Sequence, residues 1–77
     1  MNEKEQLIEV LNAVKPGIDY EKEQHLVTDH ILTSFDIVML VAQINEAFSI
    51  ELTPLDLEPE NFDNVEALLT LIKSKEA

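Results

Sequence analysis

Ser34 is the residue whose type and placement bear most directly on chemistry. It follows Thr33, and Asp36 lies three positions beyond that threonine. Thr-x-x-Asp is a capping-box-like start signal, so Ser34 is expected as the first residue inside a helix, its hydroxyl toward solvent. A hydroxyl displayed there is either a passive surface group or a point of covalent attachment. As a catalytic nucleophile it lacks a partner: His30 is the one base within sequence reach, and a triad needs a further group to orient it. His25 and His30 flank Asp29, but they show no metal-ligand spacing and read as ordinary loop histidines. Asp56-x-Glu58-x-Glu60 with Asp63 loosely follows a calcium loop, yet it has no central glycine and contains Pro59. The chain has no cysteine, hence no thiol nucleophile or disulfide, and its single glycine leaves no loop able to cradle a phosphate. The expectation is therefore no enzyme and no metal.

The elements that must position Ser34 follow from periodicity. Leu7, Val10, Leu11 and Val14, with Ile8 at the border, predict an amphipathic helix over 2–15, acidic at its start, with Lys15 near its end and Pro16-Gly17 stopping it. Residues 16–32 form a long connection that drops Ile18, Tyr20, Leu26 and Ile31 into a core; loops of this length in small domains are often functional. A second helix from Ser34 is expected to bury Phe35, Val38, Val41, Ile44 and Phe48, with Leu40 beside them. Thr53-Pro54-Leu55-Asp56 predicts one further turn, held by Leu55 and Leu57 against the core. Glu58-Pro59-Glu60-Asn61-Phe62 reads as a turn with Phe62 buried, and Asp63-x-x-Glu66 as the cap of a last helix presenting Val65, Leu68, Leu69 and Ile72. The result is a single all-α domain over 1–77, a small up-and-down bundle of three long helices plus one short helix.

Charge narrows the partners. Five lysines and no arginine against sixteen acidic residues give a net charge of -11. Nucleic acid and anionic membranes are poor partners for such a surface, and basic protein surfaces are good ones. With no leader-like start and no long apolar run, the expectation is a soluble, cytoplasmic monomer with no membrane insertion.

A serine after a long loop, then an amphipathic helix, a one-turn helix and a last helix, in an acidic chain of this size, resembles the acyl carrier protein family. The resemblance covers nearly the whole chain. Leu32-Thr33-Ser34-Phe35-Asp36-Ile37-Val38 is similar to the family's Asp-Ser-Leu attachment motif, and Phe48-Ser49-Ile50-Glu51-Leu52 to its helix-closing segment. The resemblance implies a 4'-phosphopantetheine arm, placed on Ser34 from coenzyme A by a phosphopantetheinyl transferase. It also implies an acyl or aminoacyl group held on the arm as a thioester, and partner enzymes with basic patches that load and transfer it. The family spans fatty-acid, polyketide, peptide-synthesis and D-alanyl carriers, among which these residues do not choose. Two departures stand out. Thr33 replaces the family's Asp, keeping the cap but losing a charge beside the serine. The outward face of the Ser34 helix keeps Asp36 and Glu46, but places Ile37 and Met39 off the buried stripe, with Asn45 and Ala47 uncharged. Thr33, Asp36, Ile37, Met39 and Glu46 are thus the expected docking residues, on a surface more apolar than the family's; the plainer alternative has Met39 packing under a loop. The alternative function is a non-covalent acidic interaction module without a prosthetic group.

Overall fold

Asn2 begins the first element: its side-chain oxygen accepts from the Glu5 N–H at 2.8 Å, a cap that lets helix α1 run Glu3–Val14. The structure is a computed structural model describing residues 2–76; Met1 and Ala77, which the expected domain includes, lie outside the described residues. Helix α2 follows at Ser34–Phe48, a single 3₁₀ turn at Pro54–Asp56, α3 at Pro59–Phe62 and α4 at Val65–Glu76. Among the described residues there is no strand, and no helix is long and apolar enough to cross a membrane.

The all-helical expectation holds, and most of the boundaries were legible. Pro59 does not merely end the 3₁₀ turn; it opens α3, occupying a first-turn position where no backbone N–H is needed. The segment expected to be a plain turn is therefore a short helix that carries the buried Phe62.

The core gathers side chains from every long element: Leu7 and Leu11 of α1, Leu40 and Ile44 of α2, Leu68 and Ile72 of α4, and Phe62. The long connection contributes Tyr20, Leu26 and Leu32, all buried, while Ile18 and Ile31 are half-buried against them. Helices α1 and α2 run antiparallel, since Gln6 Nε2 donates to the Ala47 carbonyl at 3.0 Å at one end and Lys15 meets Asp36 at the other. The first turn of α1 also meets α4, where Lys4 Nζ lies 3.5 Å from Glu66. Lys75 in the last turn of α4 pairs with Asp56 at 2.9 Å, tying the 3₁₀ turn to the bundle.

Two expectations about packing fail. Leu55 and Leu57 do not enter the core; Leu55 is 87% exposed. The inward-facing residue of that turn is Asp56, whose Oδ2 accepts from the Thr53 N–H at 2.8 Å and meets Lys75, which leaves Leu55 pointing out. In α2 the buried face is rotated from the expected one, with consequences for the site.

Candidate functional site

Ser34 is exposed and is the first residue of α2. Its position is fixed by the capping box read from sequence. Thr33 Oγ1 accepts from the Asp36 N–H at 3.2 Å, and Asp36 Oδ2 accepts from the Thr33 N–H at 3.0 Å. The Asp36 carboxylate has a second engagement: Lys15 Nζ lies 3.6 Å away, from the residue that closes α1. The hydrogen bond from the Thr33 N–H holds its carboxyl below the usual carboxylate range, with Lys15 adding to the effect. Only 14% of its side chain is exposed.

Below this pair sits Tyr20. Its hydroxyl donates to the Lys15 carbonyl at 2.5 Å and lies 3.3 Å from the Leu11 carbonyl, which also accepts from the Lys15 N–H at 2.8 Å, so it ties down the closing turn of α1. Burial, and then the negative charge of Asp36, push the Tyr20 hydroxyl up to about 12. The end of α1, the loop at Tyr20 and the start of α2 are thus one hydrogen-bonded junction, and Ser34 is displayed on its surface.

The far side of the loop is held by Asp63. Its Oδ1 accepts from the N–H groups of Val27 at 2.9 Å and Thr28 at 2.8 Å, its Oδ2 accepts from the Thr28 hydroxyl at 2.7 Å, and its carbonyl accepts from the Leu26 N–H at 2.7 Å. Asp63 was expected to cap α4; Asn64 does so instead, its Oδ1 accepting from the Ala67 N–H at 2.8 Å. Asn is as good a cap as Asp, so the local sequence offered two registers, and the loop far along the chain claims the aspartate. His25 and His30 are both exposed, and among the described residues no group of three or more metal-ligating side chains comes together.

The expected docking residues divide. Thr33 and Glu46 are exposed as anticipated. Asp36 is at the surface but engaged by Thr33 and Lys15. Met39 is half-buried, nearer to the plainer expectation. Ile37 is corrected outright: it packs against the core, whereas Phe35 and Val38, expected inside, are 71% and 64% exposed. The reason is helical phase. Counting back from the buried Ile44 at about 100° per residue, Leu40 lies about 40° away and Ile37 about 20°, whereas Val38 lies about 120° off and Phe35 about 180° off. Asn45, expected as an uncharged residue of the outward face, accepts from the Leu52 N–H at 2.9 Å and holds the chain where it leaves α2.

Compared with protein-family models, curated proteins and solved structures, the chain finds no match.

Proposed function

We propose that the chain is a carrier protein whose Ser34 takes a 4'-phosphopantetheine arm. The observation that carries this reading is an exposed serine at the first position of a 15-residue helix, with the helix start fixed by its own capping box and by the end of α1. The local chemistry fits a phosphodiester. By helix geometry the N–H groups of Ser34 and Phe35 have no partner within the helix, and the positive end of the dipole favours an anion there. The nearest acid, Asp36, is compensated by Lys15. When attached, the arm supplies a terminal thiol that holds an acyl or aminoacyl group as a thioester. The chain's own residues do not catalyse; they display the attachment point, hold it rigid and offer a surface to the enzymes that act on it. Those partners are a phosphopantetheinyl transferase and enzymes that load and transfer the cargo, with basic groups to meet a chain of net charge -11. A cytoplasmic monomer suits this role.

The test is intact-mass measurement after incubation with coenzyme A and a broad-specificity phosphopantetheinyl transferase. The wild-type chain gains the mass of the arm and Ser34→Ala gains none. Thr33→Asp, which keeps the cap and adds a charge beside the serine, speeds the gain. A wild-type chain that gains no mass overturns the reading in favour of a non-covalent acidic module, for which Ser34→Ala is silent in every binding assay.

A further inference from the structure

The segment that leads into Ser34 has no regular structure, yet its backbone is bonded almost throughout. Every N–H from Leu26 to His30, and that of Leu32, has a partner. Within the loop, Asp29 donates to the His25 carbonyl at 2.9 Å, His30 to the Val27 carbonyl at 3.0 Å and Leu32 to the Leu26 carbonyl at 2.8 Å. These bonds hold His30 in the left-handed region at φ 60, a conformation that persists in a residue with a side chain only where its surroundings over-determine it. The other three N–H groups converge on Asp63, that of Leu26 on its carbonyl and those of Val27 and Thr28 on its carboxylate, which also takes the Thr28 hydroxyl. A continuous track results. Asp63 holds Leu26, Leu26 holds Leu32, and Leu32 precedes Thr33, which caps the helix that Ser34 begins. Leu26 and Leu32 are both buried, so the track cannot shift without lifting them from the core. Helix α2 packs chiefly on α1, and α4 on α1 and α3. The loop is thus what ties the corner between α3 and α4 to the start of α2.

We infer that Asp63, gripping Thr28, is a positioning residue for attachment of the arm to Ser34. The inference rests on the carrier reading and adds to it the residues that keep the serine accessible. In the transfer itself, the Ser34 oxygen forms a new P–O bond and the pyrophosphate linkage of coenzyme A breaks. The nucleotide bisphosphate leaves, and the hydroxyl proton passes to a base of the transferase. That base and the coenzyme belong to the other protein, so the hydroxyl has to be met with the chain that enters it held aside. Thr28 lies six residues before Ser34. Freed from Asp63, the stretch between them can extend to about 20 Å and sweep across the approach to the hydroxyl. Seated on Asp63, it leaves that approach clear. Asp63 touches no reacting atom. It sets the fraction of chains in which the entering segment is seated, and the transferase binds that fraction, so its loss acts on apparent affinity.

The test is the steady-state rate of arm transfer from coenzyme A, catalysed by a broad-specificity phosphopantetheinyl transferase, with carrier concentration varied well below every variant's melting temperature. Asp63→Ala removes three of the four bonds and raises KM for the carrier about tenfold, with kcat within about twofold. Thr28→Val removes the hydroxyl bond alone and raises KM about threefold. Asp63→Asn keeps an oxygen for the Val27 and Thr28 N–H groups and turns an amide donor toward the Thr28 hydroxyl, so KM returns to within about twofold of wild type. Ile72→Val trims the core in α4, nine residues beyond Asp63, and lowers the melting temperature without moving KM. Hydrogen exchange of the Leu32 amide, the link next to the cap, speeds up in Asp63→Ala, whereas that of the Lys15 amide within the closing turn of α1 does not. An unchanged KM in Asp63→Ala overturns this inference and leaves the carrier reading standing; Thr28→Val, at an exposed position, decides it if the alanine variant does not fold. A KM raised as much by Ile72→Val, or unchanged exchange at Leu32, overturns it too. Absence of transfer to the wild-type chain overturns both.

Discussion

Asp63 shows how one side chain can settle the placement of a loop. With both carboxylate oxygens it accepts hydrogen bonds from Val27 and Thr28, about half the chain away in sequence. The Thr28 hydroxyl is the largest cause, followed by the Thr28 N–H, by which this carboxyl is held below its ordinary value of 3.8; the Val27 N–H and the charge of His25 add to it. A depressed carboxyl pKa contributes stability that is present above the unfolded value and lost as pH falls through the lower folded value. Asp63→Ala should therefore cost about 1–2 kcal/mol at neutral pH, the scale of charge-assisted hydrogen bonds at a half-exposed site. The gap between variant and wild-type urea midpoints should narrow as pH falls from 3.8 downward. A gap that stays constant through that range would show that the clamp acts through shape rather than charge.

At the scale of elements, α2 carries the site and its end is under backbone strain. Ser49 closes the helix in the left-handed region, at φ 55 and ψ 45, while its N–H donates to the Asn45 carbonyl. A side chain there is disfavoured and glycine is the usual occupant. Ser49→Gly should stabilise the fold by about 0.5–1 kcal/mol, read as a higher melting temperature, because relief at the cap exceeds the extra freedom glycine gives the unfolded chain. The opposite end of α2 is sound as it stands: Thr33 and Asp36 satisfy each other's N–H groups, so Thr33 serves the helix fully as its cap.

Across the whole molecule, charge opposes the fold. Lys4, Lys15, Lys22 and Lys75 each pair with an acid within the chain, so most of the few cations are already committed, and the remaining acids repel one another. Salt should consequently stabilise this protein. Raising NaCl from about 0.02 to 0.5 M should increase the unfolding free energy by about 1 kcal/mol, since screening weakens the self-repulsion of the exposed acids more than it weakens the close pairs. Urea titrations at the two salt concentrations check this, and a lower midpoint at high salt would contradict it.

Much of this protein was legible without coordinates because local signals act over a few residues. The Thr33 and Asp36 capping box set the start of α2 and the place of Ser34. Pro16 and Gly17 ended the first helix, and Phe62 and the apolar spacing of α4 marked buried positions. The phase of α2 was not legible, because between Phe35 and Val41 it is apolar nearly all round, and a period without polar interruptions does not say which side faces inward. Antiparallel packing against α1 decided that, turning Ile37 half-buried against the core and exposing Phe35 and Val38. The roles of Lys15, Tyr20 and Asp63 were likewise invisible, since each depends on a partner brought near only by folding. The sequence by itself determined where α2 begins and that a serine is displayed at that start, because caps and periodicity are properties of neighbouring residues. Only the tertiary structure decided which face surrounds that serine, because a helix acquires an inside only when another element packs against it.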